Sequence, residues 1–199
     1  MTASDRDLMA IDVALLPPPQ VRSQAIGLSA MLRAADESHD FRLDADHHPH
    51  ITLSQQFVRV NELDQALERV DEVLRNQSRL TLTVTGGGHG ASSVWMAIGR
   101  TPAIVELHER LLEALRGLER SDGGPSAFVD GDARVRDVLW VAGYRLKSSF
   151  GSYTPHITLG HGAEPPQIEP FSFEATTAAV CHLGRFCSCR RVVREWPLR

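Results

Sequence analysis

Pro49-His50-Ile51-Thr52-Leu53 returns later in the chain, residue for residue, as Pro155-His156-Ile157-Thr158-Leu159. Side chains alternate between the two faces of an extended strand, so each copy sets a histidine and a threonine on one side and aliphatic residues on the other. Core packing accounts for the isoleucine and leucine, but gives no reason to repeat a polar pair on the opposite face. The histidines lie 106 positions apart (50 to 156), about half of the 199 residues. That spacing suits an internal duplication better than a short solenoid repeat.

Around the first copy, a strand is expected over His50–Val58. His50, Thr52, Ser54 and Gln56 would share one face and Ile51, Leu53, Gln55 and Phe57 the other. Upstream, the branched apolar run Met9–Leu16 reads as a strand stopped by Pro17-Pro18-Pro19, and Gln20 to about Asp36 as a helix. Downstream, Leu63, Leu67, Val70 and Leu74 recur at helical spacing, with Asn61 as the expected N-cap. Leu80–Val84 and Val94–Ile98 read as two strands broken by Gly86-Gly87-Gly88, which lack the Gly-Lys-Ser/Thr ending of a nucleotide-binding loop.

Pro102 to about Leu118 carries another apolar stripe, capped by Thr101, with His108 expected at its surface. Ser121–Asp132 has the composition of a flexible loop and the position of a lid. The run Val138–Tyr144 fits a strand as well as a helix; the spacing of Val135, Val138, Leu139 and Ala142 favours helix. The second copy opens a strand ending near Gly160, and Phe171–Leu183 and Ser188–Trp196 are expected to supply two more. Each half therefore offers a strand, a helix, a motif strand and further strands.

A hydrophobic content of 42% with 23% charged residues is ordinary for a globular chain able to build a core. A net charge of −4 argues against coating long duplex nucleic acid through a broad basic face. No apolar run approaches the ~20 residues of a membrane-spanning helix. Thr2–Asp7 is polar and charged, unlike a secretion signal, so a cytoplasmic monomer is expected. Cys181, Cys187 and Cys189 are an odd, crowded set, read as reduced thiols, and with His182 they lack the paired spacing of structural zinc. His47, His48 and His50 are close in sequence but lack further ligands, so neither metal nor cofactor is expected. His39, His89, His161 and His182 have no repeated context.

Two imidazoles facing one phosphodiester divide the work of its cleavage. One takes a proton from water and the other gives a proton to the departing oxygen, while the neighbouring hydroxyls meet the charge developing on the phosphoryl oxygens.

The paired His-Ile-Thr-Leu segments resemble the signature of the two-histidine phosphoesterase superfamily, which includes 2′-5′ RNA ligase-like proteins and cyclic phosphodiesterases. Gly86–Ile98 and Lys147–His156 are similar to the segments these proteins carry before their central helix and before their second motif. The resemblance implies an α+β fold in which residues 1–199 form a single domain. Its lobes would be related by a pseudo-two-fold axis, with antiparallel sheets flanking a cleft. It also implies opening of a 2′,3′-cyclic phosphate on a nucleotide or RNA end to a 2′-phosphate. In that role His50 would be proton donor, His156 acceptor, and Thr52 and Thr158 phosphate binders. Tyr153 would stack on a base, Lys147 would offset phosphate charge, and Gln56 would share the His50 face. The alternatives are a cyclic phosphate of ADP-ribose, a 2′-5′ linkage, RNA-end joining, or a module that binds such ligands without turnover.

Overall fold

A computed structural model describes residues 8–32, 41–90 and 93–199. The first half contains β1 (Leu8–Leu16), α1 (Pro19–Met31), β2 (Ile51–Arg59) and α2 (Leu63–Leu74). Then follow β3 (Leu80–His89), β4 (Ser93–Ile98), α3 (Pro102–Leu115), α4 (Val135–Lys147), β5 (His156–His161), β6 (Phe171–Ala175), β7 (Thr177–Gly184) and β8 (Ser188–Pro197). Local chemistry sets several boundaries. Proline opens α1 and α3, the Thr101 hydroxyl accepts the Ile104 N–H, and the Asp137 carboxylate accepts the Arg134 N–H at the start of α4. Before α2, Asn61 lies in a short 3₁₀ turn and Glu62 takes the N-cap position expected of Asn61. The expected tail of α1 beyond Leu32, along with His39 and Thr2–Asp7, lies outside the described residues.

The strands form two four-stranded antiparallel sheets, ordered β2-β1-β7-β8 and β5-β4-β3-β6. By position in these orders β2 corresponds to β5, β1 to β4, β7 to β3 and β8 to β6, the correspondence a pseudo-two-fold relation requires. The long C-terminal apolar run is not one strand. It breaks at Thr176, leaving β6 in the second sheet and carrying β7 into the first. Most of the core, including Ile51, Leu53, Ile104, Leu107, Leu111, Ile157 and Leu159, lies on one side of the first sheet and against the second. On the other face of the first sheet, Ala10, Ala14, Phe57 and Cys181 pack with Phe128 and with Val141 of α4.

Each repeated motif contains a β-bulge at its leucine. Val13 pairs with Ser54 and Ala14 with Thr52, leaving Leu53 unpaired; Val94 pairs with Gly160 and Trp95 with Thr158, leaving Leu159 unpaired. The carbonyl of each bulged leucine is satisfied by a buried side chain from a helix. His108 Nδ1 on α3 donates to Leu53 O at 2.5 Å, and Ser29 Oγ on α1 donates to Leu159 O at 2.6 Å. His108 is thus a core residue and not a surface one, its Nε2 accepting the Phe150 N–H at 3.1 Å. Gly160 beside the second bulge has φ +147°, and an added Cβ would meet Phe41 O at 2.8 Å, so glycine alone fits there.

Two further expectations fail. Gly86-Gly87-Gly88 does not break the sheet but runs inside β3, because a Cβ at Gly88 would lie 2.3 Å from Nε1 of Trp95 on β4. Nor is Ser121–Asp132 a free lid: Phe128 is buried edge-on against Phe57, and Val129 N–H donates to Leu183 O at 2.9 Å.

Candidate active site

His50 just before β2, His156 at the start of β5, Thr52 and Thr158 all line one cavity of about 430 Å³. In both motifs the residue two before the histidine offers its carbonyl to the ring. His50 Nδ1 donates to His48 O at 2.8 Å and His156 Nδ1 to Thr154 O at 2.7 Å. Only an N–H can satisfy a carbonyl, so both neutral rings carry their proton on Nδ1 and keep a lone pair on Nε2. The intervening Pro49 and Pro155 have fixed φ and hold the preceding residue extended, which shapes this small loop. Burial holds both imidazoles below the ordinary histidine value, and for His156 the neighbouring His50 acts in the same direction.

The bulges decide what else reaches the cavity. Skipping Leu53 reverses the alternation, so that Gln55 lines the cavity and Gln56 turns to the opposite face beside Ile11. By the same shift His161, three residues after Thr158, lines the cavity. Strict alternation from His50 and His156 selects the wrong residue in both strands.

Asp12 was not singled out by the sequence, although it is the one carboxylate in the apolar run Met9–Leu16. It sits on β1 opposite Gln55, fully buried, and its Oδ2 accepts Thr52 Oγ1 and Gln55 Nε2, each at 2.7 Å. His50 Nε2 is 3.6 Å from the same oxygen, and Oδ1 has no protein partner among the described residues. Burial pushes the Asp12 carboxyl up to about 7 against the pull of its two donors. Thr158, by contrast, has a hydroxyl with no partner among the described residues.

Tyr153 lines the cavity but is 2% exposed. Its ring is stacked on His108 at 3.9 Å, and its hydroxyl donates to Thr52 O at 2.9 Å. It braces the first motif and leaves little ring face for a base. The open aromatic surface is Trp140 on α4, 44% exposed, together with Trp95, whose ring lies 5.3 Å from that of His156. Lys147 is exposed and stands off the cavity wall. The cations on the wall are Arg136 and Arg134, the latter held by Asp137 at 2.6 Å and stacked 3.9 Å from the centre of the Phe186 ring. Among the described residues, Asp12, His50 and Cys189 bring donor atoms within 4.8 Å of one another. Burial holds the Cys189 thiol protonated and Asp12 Oδ2 already accepts two hydrogen bonds, so this cluster is poorly disposed to grip a metal ion.

Two antiparallel sheets, each bringing one His-x-Thr pair to a shared cavity, define a two-histidine phosphoesterase fold. The model of the 2′-5′ RNA ligase superfamily matches residues 17–186, and the chain belongs to that superfamily. No curated protein matches by sequence. Among solved structures, TT0787 of Thermus thermophilus is similar at 18% identity and a TM-score of 0.64. Escherichia coli LigT complexed with ATP is similar at 20% and 0.59, and LigT complexed with NADP+ at 17% and 0.58. Each of these matches covers 96% of this chain and 98% of the other.

Proposed function

We propose that residues 1–199 work as one unit, a cyclic phosphodiesterase that opens a 2′,3′-cyclic phosphate on a nucleotide or RNA end to a 2′-phosphate. The observation that carries this reading is the pair of Nε2 lone pairs, each fixed by the same backbone hydrogen bond, on the wall of one cavity. In this reading His156 removes a proton from the attacking water and His50 protonates the departing 3′-oxygen. Thr158 and Thr52 flank the phosphate, Thr158 with a hydroxyl free to donate to it. Trp95, Trp140 and Arg136 suit a nucleotide better than a bare phosphate, and LigT, with the same fold, has been crystallised with ATP, 3′-AMP and NADP+. The mechanism uses side chains for both proton transfers and calls for no metal ion.

A product-resolved assay on 2′,3′-cyclic mononucleotides, cyclic-phosphate RNA ends and ADP-ribose cyclic phosphate, with chelator present, tests it. Turnover with a bell-shaped pH profile is expected, and His50→Ala or His156→Ala should each lower kcat/KM by about 10³-fold or more. Full activity in either variant, or tight binding without turnover across the panel, rejects the proposal.

A further inference from the structure

Both catalytic candidates are held below the ordinary histidine value, which suits a base but leaves the acid without a proton near neutral pH. A carboxyl group stands behind one of them. We infer that Asp12 is a positioning residue that keeps a proton on the His50 side of the cavity, so that His50 serves as the acid and His156 as the base. This inference rests on the cyclic phosphodiesterase reading.

The geometry is asymmetric in the required way. Asp12 Oδ2 lies 3.6 Å from His50 Nε2, whereas the register position equivalent to Asp12 in the second half, opposite His161, is Ser93. Three donors converge on that oxygen once His50 is protonated: Thr52 Oγ1–H, Gln55 Nε2–H and His50 Nε2–H. Burial opposes the carboxylate while Gln55 and Thr52 favour it, and with His50 Nε2 3.6 Å away the two side chains are placed to share a single proton. The other titratable groups facing Asp12 are Tyr144 from α4, Tyr153 before β5, Cys181 directly opposite it on β7, Cys187 from the turn after β7 and Cys189 from β8. Burial pushes the two tyrosines, Cys187 and Cys189 up, so these four are uncharged near neutral pH. Among the described residues no lysine or arginine pairs with Asp12, so the proton partner of its carboxyl is His50.

The proton passes from the Asp12 carboxyl to His50 Nε2, leaving a carboxylate beside an imidazolium. The water oxygen bonds to phosphorus as its proton goes to His156 Nε2. The bond from phosphorus to O3′ breaks, and O3′ takes the proton from His50. Water has then been added across one P–O bond, and the proton on His156 returns to Asp12 through solvent.

The test follows the imidazole nitrogens of ¹⁵N-labelled protein through a pH titration, comparing wild type with Asp12→Asn and Asp12→Ser, the latter copying the second half. The His50 midpoint should fall by about one pH unit or more in both variants, while that of His156, which is held down in part by His50, should not fall. With a 2′,3′-cyclic nucleotide, kcat near neutral pH should fall about 10²-fold, KM should change little, and the alkaline limb of the profile should move to lower pH. A His50 midpoint that does not move, or a rate loss with an unshifted alkaline limb, overturns the inference. The spectra need no turnover, so failure of the phosphodiesterase reading and failure of the Asp12 assignment give separate results. Asp12→Ser decides the matter should Asp12→Asn not fold.

Discussion

The two halves share a pentapeptide, a bulge at its leucine, a side chain that satisfies the bulged carbonyl, and a backbone acceptor that fixes the histidine tautomer. They differ in what surrounds that frame. Beside the first motif stand Asp12, Ala14 and Gln55; at the matching register positions beside the second stand Ser93, Trp95 and His161. In the first, Asp12 and Gln55 join Thr52 in a compact hydrogen-bonded group around a carboxylate; in the second, an indole stands next to the imidazole. Repetition thus supplies two imidazoles in equivalent frames, and their neighbours make them unequal. Acid and base are separated when environments push like groups apart.

The threonines offer the largest test of that inequality. The Thr158 hydroxyl has no partner among the described residues, and under the proposed function Thr158→Ala should lower kcat about 10²-fold by removing a donor to the phosphate. The Thr52 hydroxyl is committed to Asp12, so Thr52→Ala should cost about tenfold and act by moving the alkaline limb. Equal losses with unmoved pH profiles would restore the symmetry. Steady-state kinetics across pH provide the measurement.

The bulge supports come next. Ser29→Ala strands the Leu159 carbonyl in the core and should cost about 1–3 kcal/mol. His108→Ala strands the Leu53 carbonyl and also removes the ring stacked on Tyr153, so about 3 kcal/mol or more is expected. Urea denaturation measures both, and a negligible cost in either would show that its bulge is held by other means.

The smallest effect concerns Asp12 and stability. Its folded value of about 7 lies above the ordinary carboxyl value of 3.8, so its contribution is full below about pH 4 and is lost as pH rises through 7. Asp12→Asn removes this loss, and its Tm relative to wild type should be higher by a few °C at pH 8 than at pH 4.5. The depressed values of His108 and His156 favour the fold above pH 6.5 and lose that benefit as pH falls in both proteins, while the further fall expected for His50 in Asp12→Asn lowers the variant at acid pH and so adds to the same difference. A Tm difference independent of pH would place the Asp12 carboxyl at its ordinary value.

The motif pair was readable from sequence because a polar pair repeated on one strand face has no packing explanation. Helices α2 and α3 followed from their apolar stripes and from Pro102 and Thr101. Asp12 was not readable because its partners Thr52 and Gln55 lie on the neighbouring strand, and Gln55 and His161 were hidden by the bulges. A bulge changes the face of every later residue, and its position depends on the partner strand, which a single sequence does not reveal. His108 looked like surface because its two acceptor and donor partners, Leu53 O and Phe150 N, come from distant segments. The glycine run looked like a turn because the indole it accommodates belongs to the neighbouring strand.

The crossing at Thr176 has a consequence for assembly. All four strands of the His156 sheet lie within residues 80–175, whereas the His50 sheet joins β1 and β2 to β7 and β8 from beyond that stretch. In a chain growing from its amino end, the sheet bearing His156 can close while the strand that follows His50 belongs only to a two-stranded ribbon, an arrangement of marginal stability in water. The half that carries His50 is therefore the later one to be completed.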